Sequence, residues 1–165
     1  MKVEEIMTPD PIVVTVDTSV REAAGLLRKN RIGGLPVMDG TRVAGVVTES
    51  DIISLLTIDE PSEDLWLPSP LEIIEVPIRE YINWGKTKKA LAFIGDRSVR
   101  EVMTSPAITI EADADIEEAA ALMLKEGIAR IPVTRDGRLV GIVTRADIVR
   151  GIGSTYATER EVSPS

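Results

Sequence analysis

Two stretches of the chain carry the same helical stripe of apolar positions. Val20, Ala23, Ala24 and Leu27 are spaced i, i+3, i+4, i+7, and so are Ile116, Ala119, Ala120 and Met123. That spacing puts each set on one buried helix face. Ser19-x-x-Glu22 and Asp115-x-x-Glu118 fit capping boxes at the two helix starts. Residues 12–16 and 107–110 predict a strand before each helix. Leu35-Pro36-Val37 and Ile131-Pro132-Val133 predict one after it. Asp39-Gly40 and Asp136-Gly137 mark hairpin turns into partner strands at 43–47 and 139–143. Thr48-x-x-Asp51 and Thr144-x-x-Asp147 then open a second helix.

The parallel is a sequence repeat. Residues 3–53 shifted by 96 positions onto 99–149 give 20 identities in 51, without a gap. Each copy reads β-α-β-β-α, an α+β unit whose three-stranded sheet is small for independent stability. Two copies packed face to face would complete a shared core. The expected organisation is a first unit at 1–56, a loop and helical insert at 57–98, a second unit at 99–154 and a flexible tail at 155–165.

Composition narrows the chemistry. The 165 residues include neither His nor Cys. Disulfides, a thiolate nucleophile, a Cys-type zinc site and a His general base are therefore excluded. Any catalysis would have to rest on Asp, Glu, Ser, Thr, Lys or Tyr, and no catalytic residue or metal ligand is singled out among them. The net charge of −8 is spread evenly, with no basic arm, which argues against binding nucleic acid through its phosphates. No apolar run reaches the ~18 residues of a membrane span. The acidic start Met1-Lys2-Val3-Glu4-Glu5 lacks the apolar core of a signal peptide, so a cytoplasmic location is expected.

The ordered motifs resemble the CBS domain, named after cystathionine β-synthase. They are Met7-Thr8, Leu35-Pro36-Val37 and Gly45-Val46-Val47-Thr48-Glu49-Ser50-Asp51. Met103-Thr104, Ile131-Pro132-Val133 and Gly141-Ile142-Val143-Thr144-Arg145-Ala146-Asp147 repeat them. The resemblance implies a CBS pair with pseudo-twofold symmetry and a cleft on each side. Such clefts hold adenosine-containing effectors such as AMP, ADP, ATP or S-adenosylmethionine, and no cofactor is required. It also implies a homodimer and a separate, unidentified regulated protein.

The family's roles carry over to Thr48 and Asp51, and to Thr144 and Asp147. Each pair sits at a helix N-terminus, where free N–H groups and the dipole attract phosphate. The Asp would accept from the ribose hydroxyls. The same Thr-x-x-Asp also reads as a plain N-cap, and both readings can hold together. The adenine would lie among Ile12, Val14, Ile108 and Ile110. A basic residue before the second unit's strand is directed at ligand phosphates in the family. Arg130 matches it and the equivalent Gly34 does not. The clefts are thus expected to be unequal, with Thr144, Asp147 and Arg130 favouring phosphorylated ligands. A solvated surface arginine is the competing reading of Arg130. Two functional alternatives stay open, a ligand-independent dimerisation scaffold and a metal-dependent nucleotide hydrolase.

The insert is expected to hold a loop over 57–70 and three short helical stretches. These contain Leu71, Ile73 and Ile74, then Ile78, Tyr81 and Ile82, then residues 86–91. Four of the five aromatics, Trp66, Tyr81, Trp84 and Phe93, fall here. The helices that carry them are expected to cover the pair or its dimer seam, with docking of a partner protein as the alternative.

Overall fold

The computed structural model describes residues 1–58 and 84–161. The expected α+β fold is observed. The first repeat forms α1 (Val3–Ile6), β1 (Thr8–Pro9), β2 (Val14–Thr15), α2 (Val20–Asn30), β3 (Gly34–Asp39), β4 (Arg42–Thr48) and α3 (Glu49–Ile58). After α4 (Trp84–Asp96), the second repeat begins with a 3-10 turn (Val99–Glu101). It continues through β5 (Ile110–Glu111), α5 (Ile116–Glu126), β6 (Arg130–Arg135), β7 (Arg138–Thr144) and α6 (Arg145–Glu161).

Each repeat builds the same sheet. β2 runs parallel to β3, with α2 as the crossover, and β3 turns back antiparallel into β4. β5, β6 and β7 repeat this around α5. The first strand of each repeat is only two residues long, shorter than the apolar run that predicted it. The second hairpin turns on Asp136-Gly137, both with positive φ (52° and 74°), as the mirror-image turn requires. The first turns one residue later than expected. Asp39 pairs with Arg42, so Gly40 and Thr41 form the turn, with Gly40 at φ 62°.

The cap expectations divide. Ser19 accepts the Glu22 N–H at 3.1 Å and caps α2. Asp115 does not cap α5 with its side chain. Its carboxylate accepts from Lys2 Nζ at 2.9 Å instead, which ties the chain start to the second repeat.

That tie belongs to a larger exchange. β1 pairs antiparallel with β7, Thr8 opposite Ile142, so the first repeat supplies an edge strand to the second sheet. Val3 is fully buried among Ile110, Ala119, Met123 and Ile131, in the second repeat's core. Its N–H donates to the Ala114 carbonyl at 2.9 Å. The mirror arrangement holds on the other side. Val99 is fully buried with Val14, Ala23, Leu35 and Val37. Its N–H donates to Thr18 O at 2.8 Å, and Val46 and Thr104 exchange backbone hydrogen bonds of 3.1 and 2.9 Å. In space, then, the opening residues of each repeat complete the other repeat.

The repeated glycines make room for this. A Cβ on Gly45 would stand 2.6 Å from Thr104 O and 2.9 Å from Met103 Sδ. Gly141 faces Met7 and the Thr8 carbonyl in the same way. The Met-Thr and Gly-Val/Ile-Val-Thr motifs are thus contact partners across the repeats.

The two helical stretches expected in the insert before residue 84 lie outside the described residues, as do Trp66 and Tyr81. The third is α4, longer at both ends than predicted. It packs on α2 and contributes Ile94 to a small core with Val20 and Leu55. This helix thus covers part of the pair, while Phe93 on it is 67% exposed. α6 continues to Glu161, so helix occupies part of the stretch expected as a flexible tail.

Removing either exchanged valine should cost stability. Burying a valine is worth roughly 2 kcal/mol. Val3→Ala and Val99→Ala should each lower the unfolding free energy in urea by about that amount. Val13→Ala, at a site 39% exposed, should change it by less than about 0.5 kcal/mol.

Candidate functional site

The exchange creates two related clefts. The first, about 340 Å³, lies between the β4–α3 junction and the segment leading to β5. Thr48, Glu49 and Ser50 line one side, and Thr104, Pro106 and Ile108 the other. The second, about 580 Å³, lies between the β7–α6 junction and the segment leading to β2. Thr144, Arg145 and Asp147 line one side, and Thr8, Asp10 and Ile12 the other. These walls correspond under the 96-residue shift, Thr48 to Thr144, Thr104 to Thr8 and Ile108 to Ile12.

Each Thr–Asp pair forms a full capping box. Asp51 Oδ2 accepts from the Thr48 N–H (2.8 Å) and hydroxyl (2.9 Å), while the Asp51 N–H donates to Thr48 Oγ1 (3.2 Å). Thr144 and Asp147 repeat this at 2.7, 2.7 and 3.2 Å. The cap reading therefore holds at both junctions. Both threonines line their clefts, and so does Asp147. Asp51 lies behind Thr48, where its Oδ1 accepts from the Thr104 hydroxyl at 3.3 Å. Asp147 is 4% exposed and also accepts from Arg150.

The apolar expectations divide in half. Ile12 and Ile108 line the second and first cleft. Val14 and Ile110 do not. They sit in β2 and β5, point into the two cores and are 4% and 5% exposed. Strand alternation explains this. Residues two apart share a face only where the strand is regular, and Ile12 and Ile108 precede the paired residues.

Arg130 lines both clefts rather than only the second. Its Nη1 donates to Gly33 O at 2.7 Å. Burial lowers its pKa, opposed by the carboxylates of Glu49 and Asp51 on the first-cleft side. The reading as a solvated surface arginine does not hold, because the side chain is half-buried.

Sequence reasoning left other charges out. The second cleft has Arg31, Arg130, Arg145 and Arg150 against Asp10 and Asp147. The first has only Arg130 against Glu49. The positions equivalent to Arg31, Arg145 and Arg150 are Gly127, Glu49 and Ser54, of which Gly127 and Glu49 line the first cleft. The repeat comparison that exposed Gly34 and Arg130 contained this signal too. The clefts share their wall residues but differ in charge, the first balanced and the second with an excess of arginine. Among the described residues, no three His, Cys, Asp or Glu side chains come together as a metal site.

The CBS domain family matches residues 3–58 and 99–154. The chain belongs to the CBS domain family. It is 38% identical over 155 residues to an uncharacterized protein of Methanocaldococcus jannaschii, covering 92% of this chain and 91% of the other. The crystal structure of CBSX2 in complex with AMP matches with a TM-score of 0.67 at 29% identity, covering 93% of this chain and 97% of that one. The CBS domain pair of protein MJ0100, in complex with 5′-methylthioadenosine and S-adenosyl-L-methionine, matches with a TM-score of 0.68 at 27% identity. That likeness covers 94% of this chain and 98% of the other. Among the described residues of this CBS pair, no helix is long and apolar enough to cross a membrane.

The capping boxes predict a structural effect separate from any ligand. Asp147→Ala should lower the unfolding free energy by about 1–2 kcal/mol, because the Thr144 N–H and hydroxyl lose their carboxylate acceptor while Thr144 still caps α6. Urea denaturation without added nucleotide would measure this.

Proposed function

We propose that this CBS pair is a non-enzymatic regulatory module, which binds adenosine-containing ligands in its two clefts and alters its contacts with a partner protein. The observation that carries this reading is the doubled cleft. Each combines a threonine at a capped helix N-terminus, an isoleucine wall and access to Arg130. Helix N-termini favour phosphate and anionic groups, and the isoleucines offer an apolar surface to a base. The adenosine compounds held by CBSX2 and by the MJ0100 pair support the same ligand class. Ile12, Ile108, Thr48, Thr144 and Asp147 are the residues proposed to touch ligand, with Asp51 positioning Thr48. The arginine excess of the second cleft favours phosphorylated ligands there.

Two exposed apolar faces support self-association. Ile53 and Leu56 on α3 are 60% and 54% exposed, and their equivalents Val149 and Ile152 on α6 are 69% and 48% exposed. α3 opens with Glu49 and Asp51 and no base, whereas α6 carries Arg145 and Arg150. Opposite charge favours α3 of one copy against α6 of a second, and a twofold axis would make that contact twice. The same ends would be free to shift when the clefts fill, which is how ligand could reach a partner.

A thermal-shift panel of adenosine, AMP, ADP, ATP and S-adenosylmethionine tests the ligand reading. At least one compound should stabilise the protein, by about 2.7 kcal/mol at a hundred times its Kd. No shift with any of them would favour the dimerisation scaffold, and phosphate release from ATP would favour a hydrolase. Light scattering tests the assembly. The wild type should be a dimer, and Ile53→Asp with Val149→Asp should be a monomer.

A further inference from the structure

Arg130 occupies a place that only one arginine can take. Under the repeat its equivalent is Gly34, and the two residues are in contact. A Cβ on Gly34 would stand 2.6 Å from Arg130 Nη1 and 2.7 Å from its Cδ. A Cβ on Gly33 would stand 2.6 Å from Nη2. The side chain therefore lies in a notch made by two missing side chains, at the point where the repeats meet their own equivalents. Gly33, Ala129 and Arg130 belong to the walls of both clefts, and of these three only Arg130 is charged.

We propose that Arg130 is a single counter-ion held in common by the two clefts, so that an anionic ligand in one weakens binding of an anionic ligand in the other. The proposal rests on the adenosine reading above and adds a rule of occupancy to it. One guanidinium charge attracts the first phosphate fully. A second phosphate on its other side meets a charge already neutralised, together with the repulsion of the first. The weakening is reciprocal by thermodynamic linkage. Glu49 in the first cleft and the three additional arginines in the second set the order, so the second cleft fills first. Uncharged ligands do not compete for the guanidinium and bind the two clefts independently.

The two wall isoleucines allow each cleft to be followed separately. In full-length protein with labelled isoleucine methyls, Ile12 reports the second cleft and Ile108 the first. On titration with AMP, Ile12 should respond first and Ile108 at roughly tenfold higher concentration. Arg130→Ala should weaken the first event roughly tenfold and the second less than about threefold, since only the first event has full use of the charge. With adenosine it should shift both events by one common factor, because no charge is then shared. Gly34→Ala keeps the arginine but closes its notch, and should reproduce the Arg130→Ala pattern with AMP. Should either variant weaken both AMP events by the same factor, the clefts are independent and the shared counter-ion is wrong. Should neither AMP nor adenosine move either methyl in the wild type, the adenosine reading itself is overturned, and this one with it.

Discussion

Val3 and Val99 are each buried in the core that the other repeat builds, and the rest of the structure follows from that exchange. Each fifty-residue unit has a sheet too small to close a core alone. The opening segment of the opposite repeat supplies the missing layer through one buried valine and a few backbone hydrogen bonds to the neighbouring sheet or loop. Gly45 and Gly141 admit the segment because a Cβ at either place would strike Thr104 O or Thr8 O. The two halves therefore stabilise each other, and neither is a complete domain. This is also why bounds drawn along the sequence and bounds drawn in space differ at the start of each repeat.

The clefts are a consequence of the exchange. The chain that leaves the borrowed segment must run back to its own sheet, and in doing so passes the other repeat's strand-to-helix junction. Thr104 and Ile108 thereby face Thr48, and Thr8 and Ile12 face Thr144. Each cleft is composite, with one wall from each repeat, so the ligand proposed for it would bridge the two. Symmetry fixes the shape of the two sites but not their charge. Substitutions at Glu49/Arg145, Ser54/Arg150 and Gly127/Arg31 leave the capping boxes intact while making the second site the more positive. Duplicated backbone geometry thus carries two different electrostatic environments.

Much of this was legible in the sequence because it depends on local pattern. The helix stripe of Val20, Ala23 and Leu27 is buried as its spacing requires. The Thr-x-x-Asp boxes form as caps, since a cap needs only residues three apart. Asp115 failed as a cap because Lys2, 113 residues away, offered its carboxylate a cation. Val14 and Ile110 failed as cleft residues because parallel pairing with β3 and β6 turned them inward. The first hairpin slipped by one residue because the pairing of Asp39 with Arg42 made Asp39 the last strand residue. In the first two cases a partner distant in sequence overrode a local signal.

The sequence by itself determined the repeat, the α+β unit and the caps at Ser19, Thr48 and Thr144. All of these are set by neighbours within a few positions, or by comparing one copy with the other. Only the tertiary structure decided which repeat each opening segment completes, and that Arg130 stands between two clefts instead of within one. Both depend on contacts between residues far apart in sequence, such as Val3 with Ala114 O and Arg130 with Gly33 O. Periodicity shows which face of an element is apolar, but not which other surface will cover it.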